Sequence, residues 1–193
     1  FGTDTETKTA YITVSSNTGS TLPLTEGFVG TAFPPADWSI TNGGNQSVTW
    51  VRSANRGTAP SAGNSAYVNF YNTDTSGEME DLNLPAVNLA GMTSSTMTFD
   101  VAYARYNNTI TDQLDVLVSY DCGETYTVVY SKSGAALATM ANQTTAFSNP
   151  TTWRNESIDL TPFVGNSKVD IKIRAISGYG QYLYIDNVNV TGV

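Results

Sequence analysis

The chain has 193 residues, enough for one domain with a sizeable core. Its formal net charge of −8 leaves no surplus of Lys and Arg to neutralise phosphates, which argues against nucleic-acid binding. It contains no His, which removes the commonest general base, the usual zinc ligand and every Ser-His or Cys-His nucleophile arrangement.

Charged residues make up only 13%, and Thr, Ser, Asn and Gly fill the polar positions, as in extracellular β-proteins. An acidic balance of this kind suits a secreted module that meets divalent cations or neutral glycans. The single Cys122 forms no internal disulfide, so the fold must stand on its core. No apolar run approaches membrane-spanning length and no signal-like segment opens the chain. For a secreted protein the expectation is then a piece whose signal lies elsewhere.

In chain order, Ala10, Ile12 and Val14 alternate and mark one strand within residues 1–15. Residues 16–21 form a flexible polar linker. Strand-like runs then recur at 47–52, 65–71, 96–104, 113–120, 125–131, 168–176 and 181–190. Asp121-Cys122-Gly123-Glu124 reads as a hairpin turn between two of them. The stretch 133–146 is the one helical candidate and reads as a long loop with a single helical turn. Many short strands with polar turns predict an all-β fold, a jelly-roll β-sandwich of two antiparallel sheets over residues 22–193. In the last strand, Asp186-Asn187 interrupts the core-like Leu183, Ile185, Val188 and Val190 with two oxygen donors. Buried oxygens need a partner, and a hard cation such as calcium is a natural one.

Several ordered blocks carry a family resemblance. They are Leu24-Thr25-Glu26-Gly27-Phe28 with Phe33-Pro34-Pro35-Ala36-Asp37-Trp38, then Asp81-Leu82-Asn83-Leu84-Pro85-Ala86-Val87-Asn88-Leu89, then the Val118–Tyr126 hairpin. The closing blocks are Trp153-Arg154 with Ile158-Asp159-Leu160, and Tyr184-Ile185-Asp186-Asn187-Val188. Together they resemble the jelly-roll adhesin and MAM-like modules of secreted Bacteroidetes proteins, including the cleaved-adhesin domains of gingipains. Residues 1–15 resemble the last strand of a PKD-like domain. The resemblance implies a non-catalytic accessory module of a large secreted protein such as a peptidase, exported by the type IX route. It would bind polysaccharide, glycoprotein or matrix protein. The alternative is a spacer that docks on its own upstream enzyme and has no external ligand.

The resemblance also implies a structural calcium held by Glu26 and Asp186, with Asn187 in place of a frequent second acid and Asp81 as a further ligand. Gly27 and Val29 stand where relatives often carry acids, which lowers the ligand charge. The other reading of Glu26 and Asp186 is that they accept backbone hydrogen bonds at strand ends. Eleven tyrosines raise a second possibility, a carbohydrate face, since an aromatic ring flanked by amides suits a sugar. Tyr71, Tyr106 and Tyr179 are the candidates there, while Tyr103, Tyr130, Tyr184, Trp38 and Trp50 read as core and Trp153 fits either place. Glu78 and Glu80 fall on one strand face, as a glycosidase pair would, but with Asp81 they read as a solvated acidic edge. Cys122, between Asp121 and Glu124 with no base nearby, reads as unreactive.

Overall fold

In the computed structural model, residues 18–45, 47–60, 63–71 and 75–193 are described. The strand expected within residues 1–15, read as the tail of a PKD-like domain, lies outside them. Of the linker expected to be flexible, residues 19 and 20 lie against the domain. The Gly19 amide donates to the Ser167 carbonyl, and Ser20 makes a parallel bridge with Val87. Their backbone groups find partners along the open edge at 86–88.

Among the described residues eleven strands form two antiparallel sheets. The first holds β1 (Leu24–Glu26), β3 (Val51–Ser53), β4 (Ser65–Asn69), β6 (Ser95–Tyr103), β9 (Arg154–Asp159) and β11 (Tyr182–Gly192). The second runs in the order β2 (Ser39–Thr41), β5 (Met79–Asn83), β10 (Asp170–Ile176), β7 (Gln113–Ser119) and β8 (Thr127–Ser133). From β4 onward the chain crosses repeatedly between sheets, and this winding makes the sandwich a jelly roll. The loop after β8 contains one helical turn, Gly134–Leu137, as expected.

Alternation explains which faces meet. In β10, Ile171, Ile173 and Ala175 are buried while Asp170, Lys172 and Arg174 face away. Met97, Phe99 and Val101 of β6 and Leu183 and Ile185 of β11 meet them from the first sheet, with Trp38, Trp50 and Phe28 filling one end. Fully burying each such side chain contributes roughly 1.5–3 kcal/mol. The opposite face of the first sheet carries a smaller cluster of Ala102, Ala104, Phe147 and Tyr184, joined by Tyr67, Tyr182 and Trp153. Tyr103 and Tyr184 are thus buried as expected, and Trp153 packs at the rim of this second cluster.

Two places differ from the sequence expectation. The acidic run Glu78–Asp81 is not a solvated edge, because β5 lies inside its sheet between β2 and β10. Glu80 is 0% and Asp81 4% exposed. The second is the course of β11, which has two partners on one edge: β4 along Tyr182–Ile185 and β1 along Val188–Val190. Asp186-Asn187 falls in the gap between them. On the other edge the register against β6 slips there, with Asp186 opposite Asp100 and Asn189 opposite Thr98. Asn187 takes a left-handed φ of 48°, which Asn tolerates better than most residues.

Candidate functional site

Tyr71 follows β4, Tyr106 follows β6 and Tyr179 sits in the β10–β11 loop, so three separate connections present them at one end of the sandwich. The structure brings all three together around a pocket of about 160 Å³, completed by Ile110 and Gly180. The rings of Tyr71 and Tyr106 lie 6.3 Å apart, tilted by 45°. Tyr179 is 42% exposed and has a φ of 63°. Its amide donates to the Ser177 hydroxyl at 3.1 Å.

Two buried polar residues, neither of them anticipated from sequence, hold this end in shape. Asp112 accepts the amides of Gly178 (2.8 Å), Gly180 (3.1 Å) and Gln181 (2.7 Å), so one carboxylate ties down the whole Tyr179 loop. Burial pushes the Asp112 carboxyl above its ordinary value, and these amides oppose the rise. The Asp112 amide donates to the Tyr103 hydroxyl at 2.9 Å, and burial raises that hydroxyl far above its usual range. Gln181 then clamps a second loop. Its side chain donates to the carbonyls of Gln143 and Thr145, each at 2.7 Å, and accepts the Phe147 amide at 2.8 Å. The sequence signal was a lone acid ahead of a strand, which resembles any loop residue.

The residues expected to bind calcium divide between two places. Glu26 and Asn187 line one cleft of about 350 Å³ with Thr25, Gly27 and Pro60, in the gap beside β11. Asp186 lies behind it, fully buried, accepting the Thr58 amide at 2.8 Å and the Asn187 amide at 2.7 Å. Glu26 accepts the Phe28 amide. These are the strand-end bonds of the alternative reading. The Asn187 side-chain amide donates to Ala59 O at 2.9 Å and to Asp100 at 2.8 Å. Asp81 is not part of this cleft, for it lies on the second sheet. There Arg174 grips it with two bonds, 2.6 and 2.8 Å, and Lys172 adds a third at 2.9 Å. Burial favours a raised Asp81 carboxyl, but the two cations outweigh it and hold it below the ordinary value. The donors thus fit a hard cation in part. Glu26 and Asn187 line one cleft, but among the described residues no group of three acids is placed to hold a metal ion.

Glu80 points into the sandwich. One oxygen accepts the Gly43 amide at 3.2 Å and the other is buried without a partner. Burial pushes its pKa up to about 7; the Gly43 amide opposes this, and the charges of Glu78 and Asp81 add to it. A carboxyl sealed from solvent cannot meet a polymeric substrate, so Glu78 and Glu80 do not form a cleft pair.

Among the described residues no helix is long and apolar enough to cross a membrane. By sequence the chain matches no protein-family model and no curated protein. By structure it aligns with the K1 cleaved adhesin domain of Lys-gingipain from Porphyromonas gingivalis W83. The TM-score is 0.60 at 18% identity, over 89% of this chain and 99% of that one. The carbohydrate-binding module TmCBM61, solved with β-1,4-galactotriose, aligns at a TM-score of 0.55 and 12% identity, covering 86% of this chain and 94% of that one. The CBM22-1 xylan-binding domain of Paenibacillus barcinonensis Xyn10C aligns at 0.54 and 11%, covering 93% and 98%. At such identities the likeness is one of fold: the chain has the β-sandwich of the cleaved adhesin domains its motifs resemble, shared with carbohydrate-binding modules.

Proposed function

We propose that the chain is a non-catalytic binding module of a secreted or cell-surface bacterial protein, and that Tyr71, Tyr106 and Tyr179 take one sugar ring of an extracellular polysaccharide or glycoprotein. The convergence of three loop tyrosines in one pocket carries this reading. Aromatic rings with a polar tip suit a ligand that is apolar on its ring faces and hydroxylated at its edges. At about 160 Å³ the pocket is below the usual 300–1,000 Å³ of drug-sized sites, so it has room for a single ring. Affinity electrophoresis in gels containing galactan or xylan tests this. Tyr106→Ala and Tyr179→Ala should each weaken retardation about tenfold, equivalent to about 1.4 kcal/mol, without lowering Tm. Equal retardation of variants and native chain overturns the assignment, and no retardation by any glycan favours the spacer.

We further propose a structural calcium in the cleft at Glu26 and Asn187, with Asp186 adding negative charge behind them. Support comes from Glu26 and Asn187 lining one cleft where β1 and β4 part along β11. A ligand that binds only the folded state raises its stability, so millimolar calcium should lift Tm by several degrees over chelator. Glu26→Gln should abolish the shift. Its absence in the native chain overturns the proposal.

A further inference from the structure

We propose that the cleft under the β3–β4 loop, on the outer face of the first sheet, is a second glycan site that selects carboxylate-bearing sugars through Arg56. It is separate from the tyrosine pocket and does not rest on it. The cleft has a volume of about 340 Å³, within the range of ligand sites, and Ser53, Asn55, Tyr67 and Asn149 line it beside the two arginines. Among the described residues no acidic one does.

The cleft is basic within an acidic chain. The chain has nine Lys and Arg against a net charge of −8. Lys132 and Arg154 pair with Glu156, and Lys172 and Arg174 with Asp81. Among the described residues Arg52, Arg56, Arg105 and Lys168 form no ion pair, and of these Arg52 and Arg56 line the cleft. Arg52 instead donates to neutral oxygens, Phe28 O at 2.7 Å, Val29 O at 3.3 Å and Asn64 Oδ1 at 2.6 Å. These bonds use Nε–H and both Nη2 hydrogens of Arg52, which holds that side chain as a support and leaves Arg56 as the guanidinium whose planar fork can meet a carboxylate.

The site is built on fixed supports. Arg56 is exposed, but its loop is pinned to β11 on both sides of Thr58. Asp186 accepts the Thr58 amide at 2.8 Å, and the Asn187 side chain donates to Ala59 O at 2.9 Å. The Ser65 hydroxyl donates to the Arg56 carbonyl. Tyr67 is held by stacking on Tyr182 and Tyr184, with ring centroids 5.7 and 5.3 Å away. Tyr67 also lines a neighbouring cleft of about 210 Å³ whose polar groups come from Ser47, Thr49 and Asn69. A basic cleft and a neutral hydroxyl-and-amide cleft therefore flank one tyrosine. That arrangement fits consecutive residues of a glycan, a uronate beside a neutral ring. Side-chain amides donate and accept together, as sugar hydroxyls require and a bare anion does not.

Affinity electrophoresis with polygalacturonate, neutral galactan and poly-glutamate tests the assignment. Polygalacturonate should retard the native chain, and less so as salt rises from about 50 to about 500 mM. Arg56→Gln should lower the apparent affinity about tenfold with Tm unchanged. Arg56→Lys should restore part of it, and Tyr179→Ala should leave it intact. No retardation at low salt, or equal retardation of Arg56→Gln, overturns the site. Equal retardation by poly-glutamate overturns its selectivity for sugar.

Discussion

Glu80 shows how far a single residue can depart from its sequence context. Alternation placed it on a face with Glu78, but which face meets the core depends on the neighbours of β5, and these come from β2 and β10. The consequence is a pH-dependent stability. The folded pKa of about 7 lies above the ordinary value of 4.5, so between these values the folded state holds a proton that the unfolded chain has released. Stability from this group is full below the lower value and is lost as pH rises through 7. Glu80→Gln should match the native chain near pH 4.5 and exceed it at pH 8, by at most about 3 kcal/mol in urea melts. A difference that does not change with pH would contradict the buried carboxyl. Arg52 and Arg56 were equally illegible, since two arginines five residues apart carry no motif and their meeting with Asn149 is a tertiary event.

At the scale of elements, the strands of seven or more residues and the shorter β4 were legible, whereas β1, β2, β5 and β9 were not. β6, β7, β8, β10 and β11 have seven or more residues, and burial alternates along most of β6 and all of β10. β1, β2 and β3 have three residues each, too few for a period to register. The β10–β11 loop joins the two levels, because its shape is set by Asp112 from the segment before β7. A Cβ on Gly180 would fall 2.2 Å from Asp112 Oδ2. Gly180→Ala must therefore displace the carboxylate or the loop, which leaves buried amides unpaired. The expected cost is about 1–3 kcal/mol in chemical denaturation, with loss of glycan retention at the tyrosine pocket. A variant with native stability and retention would show that Asp112 does not position the loop.

For the whole molecule, Glu156 joins the two sheets at an edge. It reaches from β9 to Lys132 of β8 at 2.6 Å and to Arg154 at 2.7 Å, and Arg154 also donates to the Ala136, Leu137 and Ala138 carbonyls. Burial favours a raised Glu156 carboxyl, but Lys132 and Arg154 prevail and depress it. Its folded pKa lies below the unfolded one, so its stabilisation is present above the ordinary carboxylate range and is lost as pH falls through the folded value. Asp81 behaves likewise. Glu156→Gln should cost about 1–2 kcal/mol at pH 7, between the limits for exposed and fully buried pairs. The difference should shrink as acid protonates the native carboxyl; a constant gap from pH 7 to pH 3 would assign the loss to packing instead. Opposed to the Glu80 effect, these acid-sensitive pairs place the stability maximum on the acid side of neutrality.

The sequence by itself determined the all-β class, the jelly-roll family of shapes and the loop tyrosines, because period-two burial and turn chemistry are local. It also marked Asp186-Asn187 as out of place in a core strand. Only the tertiary structure decided what these residues meet. It put Tyr71, Tyr106 and Tyr179 in one pocket, moved Asp81 to the opposite sheet from Glu26, and turned Asp186 into the anchor of the β3–β4 loop. The physical reason is that burial and pairing partners across a sandwich lie tens of residues apart in the chain, beyond any local pattern.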